Sequence, residues 1–149
     1  MKSISRKVPS VARIVLGLVF VVFGLNGLLH FLPQPAPPPA AGAFAGALAA
    51  TGYFFPLLKV TEIVAGSLLL LGVAVPLALT LLAPIIVNIV AFHLFLAPGN
   101  WAVVAVLLAS ELFLAWTHRT AFAPLFVRRP LAESAHEPVA LEPARRQAA

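Results

Sequence analysis

Lys59, Glu62 and Glu111 are ionisable residues set in stretches otherwise apolar enough to cross a lipid bilayer. An ionisable side chain in hydrocarbon costs about 2.5–3.5 kcal/mol on insertion scales, so it faces a partner or a pathway rather than lipid. The three therefore mark a buried polar site. Lys59 and Glu62 are three residues apart and share a helix face, which permits an intrahelical ion pair. Glu111 then needs another partner. With all three charged, one negative charge is left over, and a proton on a carboxylate, or on His30 or His93, would neutralise it. Imidazoles titrate near neutrality, so this layer is a candidate proton-holding site. Asn26 and Asn88 are the amides at neighbouring positions; taken alone, each also reads as interhelical glue, worth roughly 0.6 kcal/mol per hydrogen bond.

The elements that must position these residues are membrane-spanning helices. Of the 149 residues 61% are hydrophobic and 10% charged, with a mean hydropathy of +1.01, which defines an integral membrane protein. At roughly 20 apolar residues per span, this length accommodates about four helices and one tail, with no large soluble domain. The net charge of +5 is no nucleic-acid signal, because Lys2, Arg6, Lys7, Arg13, Arg119, Arg128 and Arg129 flank apolar stretches and read as topology determinants. Without a single cysteine the chain has no disulfide, thiolate metal site or dithiol redox motif.

The spans fall at approximately 11–32, 53–72, 76–96 and 101–118. The first is too long for the h-region of a signal peptide, about 7–15 residues, and carries Asn26 and His30 near its far end. Pro33 to Pro39 predicts an extended connection. Ala40 to Thr51 is apolar, but at about 18 Å as a helix it is too short to span, so it lies at the interface or re-enters. Its Gly42 and Gly46 have the G-x-x-x-G spacing that lets helices approach closely, a spacing that also arises readily in an Ala/Gly-rich run. Gly17 and Gly24 mark a packing seam on the first span. Trp101 and Trp116 bound the fourth span as interfacial anchors, and Ala121 to Val127, with Arg128 and Arg129, reads as an interfacial segment. Residues 1–125 thus form a four-helix transmembrane domain, and 126–149, with Glu133, His136, Glu137 and Glu142, a disordered cytoplasmic tail. Basic residues at the two termini and none in the connections at the opposite end place both termini in the cytoplasm.

Counted inward at 1.5 Å per residue, His30 and His93 lie about 3–5 Å deep, Asn26 and Lys59 about 9 Å, Asn88 about 12 Å, and Glu62 and Glu111 about 14–15 Å. All seven fall in one half of the membrane. The other half is almost purely aliphatic, so the pattern predicts a polar pocket open at one end and closed at the other. Asn26, His30 and then Pro33 around the first span pair with Asn88, His93 and Pro98 around the third, and Glu62 in the second with Glu111 in the fourth. This suggests two related helical hairpins of the same orientation, one carrying the 40–51 insertion. No nucleophile motif, glycine-rich phosphate loop or zinc signature occurs. His30 and His93 as two axial haem ligands is a weaker reading than two interfacial histidines.

Arg13-Ile14-Val15-Leu16-Gly17-Leu18-Val19-Phe20 leading to Phe23-Gly24-Leu25-Asn26-Gly27, then Gly52-Tyr53-Phe54-Phe55-Pro56-Leu57-Leu58-Lys59 with Glu62 and Gly66, resembles the DoxX family of small bacterial membrane proteins over approximately residues 8–125. The resemblance implies an all-α four-helix membrane bundle in the bacterial inner membrane. It also implies a link to quinol oxidase and thiosulfate:quinone oxidoreductase complexes, from whose subunits the family takes its name. It carries over no catalytic residues, so the site rests on the polar layer. The expected function is an accessory or quinone-linked component of a membrane redox system. Glu62 and Glu111 would exchange protons with a quinone, Lys59 would orient its carbonyl, and Asn26, His30, Asn88 and His93 would bind it or relay protons. With no intrinsic cofactor motif, electrons would come from a redox partner subunit. The partners expected are lipid, quinone, such a subunit and a second copy of the chain, and no nucleic acid. A small-solute or proton-coupled permease and a non-catalytic scaffold are the competing classes.

Overall fold

In the computed structural model, which describes residues 2–126, every regular element is a helix: α1 Lys2–Leu29, α2 Pro39–Ala50, α3 Phe54–Leu71, α4 Val75–Phe95, α5 Trp101–Thr117 and α6 Arg119–Phe126. Three of them, α1 from Val8, α3 and α4, are long and apolar enough to cross a membrane, and α5 with α6 counts as a fourth if that bent pair is one span. The all-α membrane bundle expected from hydropathy is what forms. The tail from residue 127 onward, with Arg128, Arg129, Glu133, His136, Glu137 and Glu142, lies outside the described residues.

Helix α1 packs on α3, α3 on α4, α4 on α5 and α5 back on α1, closing a ring of antiparallel neighbours. The α1–α3 contact is the closest because glycines carry it. A Cβ built on Gly17 would lie 2.9 Å from the Gly66 carbonyl oxygen, and one on Gly66 would lie 2.9 Å from the Gly17 carbonyl oxygen and 3.0 Å from the Val21 amide nitrogen. Only hydrogen at these positions lets the backbones meet. In lipid, where apolar surface is already solvated, such backbone proximity is the main source of helix association. The tight seam is thus on α1 and α3, whereas Gly46 on α2 has nothing within 4 Å.

Sequence counting carries the first span to Leu32, but α1 stops at Leu29 for a local reason. The Asn26 Oδ1 accepts the Leu32 amide at 2.6 Å, and the Asn26 carbonyl accepts the His30 amide at 2.8 Å. His30 takes the left-handed conformation, φ 54°, that a C-terminal cap requires. Pro33 then disfavours helix at Leu32. At the other end of the bundle, α3 closes with Gly72 at φ 72° and a Val73 amide bond to the Leu68 carbonyl, 3.1 Å. Arg13 of α1 reaches across to donate to the Leu69 and Leu70 carbonyls, so a residue that reads as a topology determinant also caps the negative end of α3.

The α3–α4 turn holds a second strained position, Ala74 at φ 48°. A left-handed alanine costs about 1–2 kcal/mol that glycine avoids. Ala74→Gly is therefore expected to stabilise the protein by about 1 kcal/mol. A thermal melt in detergent checks this, and an unchanged or lowered midpoint would show that the turn is not strained there.

The two ends of the ring differ. Between α3–α4 turn and mid-bundle, Leu16, Ala65, Leu69, Ala78, Leu79, Leu82, Ile86 and Leu114 fill the interior without gaps to solvent. Towards the end where α2 lies, the helices enclose space instead. Helix α2 sits over that end, with Phe44 against Phe92 of α4 at 6.2 Å between ring centroids. Helix α6 turns 76° from α5, with the Arg119 guanidinium 5.2 Å from the Trp116 ring centre. Leu125 and Phe126 at the end of α6 are exposed.

Candidate functional site

The α2 end of the bundle contains a cavity of about 700 Å³ whose wall draws on α1, α3, α4, α5 and both connections at that end. Four of the seven predicted polar residues meet on it: Lys59, Glu62, Asn88 and His93. The rest of the wall is aromatic and aliphatic, with Phe20, Phe23, Phe54, Phe55 and Phe92 supplying the rings.

The ion pair is seated by α1. The Lys59 Nζ lies 2.8 Å from Glu62 Oε2, the i,i+3 pairing that the spacing predicts, and Glu62 is only 4% exposed. A Cβ on Gly24 would stand 3.3 Å from the Glu62 Cβ, and one on Gly27 would stand 2.5 Å from the Lys59 Cδ and Cε. The bare backbone at Gly27 therefore makes room for the Lys59 stem along α1, which aims its ammonium at Glu62. Gly27→Ala is expected to cost about 1 kcal/mol, since the stem can move, while removing most of the Lys59–Glu62 coupling in a double-mutant cycle. Full coupling in that background would mean the gap at Gly27 does not hold the pair.

Helix direction makes the polar groups converge. Each Cα–Cβ bond tilts towards the N-terminus of its helix. Helix α3 begins at the cavity end and α4 finishes there, so Lys59 and Glu62 lean towards the mouth while Asn88 and His93 lean inward to meet them. The His93 Nδ1 is 2.8 Å from the Ile89 carbonyl oxygen. A carbonyl only accepts, so Nδ1 carries the hydrogen, and Nε2 is the ring's remaining acceptor when neutral and its donor when charged.

The other three predicted residues are not on the wall. Asn26, 4% exposed, spends its side-chain oxygen on the Leu32 amide. His30 is exposed on the left-handed turn that ends α1, apart from the cavity that His93 lines. Glu111 lies one turn past Leu107, the deepest α5 residue on the wall, and is 6% exposed with no hydrogen-bond partner at Oε2 among the described residues. The two hairpins are therefore not equivalent: the first supplies its carboxylate to the wall and the second its amide. Two further polar wall residues, Gln34 and Asn100, are absent from the sequence-based set. Gln34 is the one amide in the proline-rich connection, and Asn100 follows Pro98-Gly99, so both read as loop rather than site. Asn100 adopts φ 51° and makes no side-chain cap to α5, which leaves its amide free for the cavity. Among the described residues no group of three His, Asp or Glu side chains is placed to hold a metal ion.

A ring of apolar antiparallel helices around a cavity that mixes phenylalanines with an ion pair defines a small polytopic membrane protein. The sequence model of the DoxX family matches residues 8–94, and the chain belongs to that family. No curated protein and no solved structure matches it. The match runs from α1 into α4, so the α5 contributions, Val103, Val104, Leu107 and the nearby Glu111, lie beyond the matched segment.

Proposed function

We propose that this DoxX-family membrane protein is a quinone-linked component of a redox system of the bacterial inner membrane, with both termini cytoplasmic and the cavity opening on the opposite side. The cavity carries this reading. Ligand sites are typically about 300–1,000 Å³, mostly apolar, with a few fixed polar groups, and this one fits in volume and in lining. A flat ring suits the phenylalanine walls, and its two carbonyl oxygens suit polar groups on the adjacent helices α3 and α4. Reduction of a quinone to a quinol takes two electrons and two protons. The electrons come from a partner redox protein, and the chain's residues handle binding and protons. Lys59 orients and polarises one oxygen, Glu62 exchanges a proton with it, and Asn88 and His93 address the other. The orientation rests on basic residues at the terminal ends of the spans. A permease reading would need a path through the fully buried Leu16, Leu69, Leu79 and Leu82.

Mass spectrometry of quinones co-purified with the protein, followed by titration of the quinone-free protein in nanodiscs with decyl-ubiquinone, tests the reading. The expected result is saturable binding of one equivalent, weakened about tenfold by Asn88→Leu through loss of one hydrogen bond. Absence of both co-purified quinone and saturable binding would refute it.

A further inference from the structure

Of the two carboxylic acids among the described residues, Glu62 and Glu111, Glu111 is the one that the wall of the cavity does not use. On α5 the inward stripe runs Val104, Leu107, Glu111, Leu114, so a carboxylic acid stands where the pattern calls for a leucine. It is 6% exposed, and its Oε2 is buried without a hydrogen-bond partner among the described residues. A buried polar atom of this kind requires an explanation in a folded protein, because leaving it unpaired is costly.

The surrounding charges give one. Helices α1 and α4 pack against α5. On α1, Arg13 is engaged with the Leu69 and Leu70 carbonyls, and on α4, His93 is bonded at Nδ1 to the Ile89 carbonyl. Across the ring on α3, Lys59 is paired with Glu62. Thus none of these groups counters an anion at Glu111, and an uncompensated charge at that depth is strongly disfavoured. Position supplies the second half of the argument. Glu111 is one turn, about 6 Å of rise, beyond Leu107, and α5 begins at the cavity end, so its Cα–Cβ bond tilts back towards the cavity floor.

We propose that Glu111 is a neutral carboxylic acid held beneath the floor of the cavity, and that it exchanges its proton with the cavity. The proton's use rests on the quinone reading: the acid gives one of the two protons needed at the quinol oxygens, becomes a carboxylate, and regains a proton from the solvent at the α2 end. The other proton comes through the wall residues and both electrons from the partner redox protein.

Infrared spectroscopy of the protein in nanodiscs at neutral pH tests the state of Glu111 without any ligand. The expected spectrum has the carbonyl band of a protonated carboxylic acid. The band disappears in Glu111→Gln, persists in the double variant Lys59→Met/Glu62→Gln, and shifts in D2O. Should Glu111→Gln fail to assemble, isotope-labelled glutamate in the wild type and in the double variant assigns the band. Absence of the band from the wild type, its loss in the double variant, or a band that does not shift in D2O would each overturn the inference. Failure of decyl-ubiquinone to bind would instead remove the quinone reading and leave the neutral acid standing.

Discussion

Lys59→Met lowers stability by about 3 kcal/mol, and the double variant Lys59→Met/Glu62→Gln recovers much of that loss. The single change leaves the Glu62 carboxylate, almost wholly buried and previously 2.8 Å from its counter-ion, without compensation. Breaking a buried pair by removing one member typically costs about 3–5 kcal/mol, because the survivor is an unpaired charge in a medium that solvates it poorly. The low end is expected here, since the lysine retains some exposure to the cavity. Replacing both members removes the stranded charge along with the bond, so the double variant should be more stable than Lys59→Met alone. Unfolding in SDS titrations of all four species of the cycle measures this. Strict additivity would mean that the two side chains do not interact and that the polar wall is a set of separate contacts.

The largest steric effect is expected at the α1–α3 seam. Gly66→Leu should destabilise the bundle by about 3 kcal/mol or more, because beside the Val21 Cγ2 methyl a side chain would meet two backbone atoms that cannot move aside, the Gly17 carbonyl oxygen and the Val21 amide nitrogen. The helices can only part, and parting withdraws Gly24 and Gly27 from Glu62 and Lys59. Gly66→Leu should therefore weaken binding at the cavity together with stability. Gly46→Leu on α2 is the control, since nothing lies within 4 Å of that position, and its effect should stay within about 0.5 kcal/mol. Equal losses from the two substitutions would show that the seam does not set the cost, since helix propensity favours leucine over glycine at both positions.

The sequence by itself determined the elements, the family and which half of the bundle would be polar. Hydropathy does this because every spanning backbone must satisfy its own hydrogen bonds in lipid, so apolar runs of sufficient length become helices whatever surrounds them. The Lys59–Glu62 pair was legible for a similar reason, as three residues on one helix are neighbours in any fold. Which polar residues meet was decided only by tertiary structure. Asn26 and Asn88 look alike in sequence, yet one closes the turn after α1 and the other faces the cavity, because Pro33 ends its helix within reach of the Asn26 side chain. Glu62 and Glu111 count to the same depth, but the cavity reaches one and stops a turn short of the other, since depth along separate helices does not fix their relative height or rotation. Glycine spacing behaves likewise: Gly42 and Gly46 carry the conventional motif, yet a Cβ on Gly42 would meet only Pro37 of the preceding connection and one on Gly46 nothing, whereas Gly17, Gly24, Gly27 and Gly66 are in contact because they fall on the faces that α1 and α3 turn to each other.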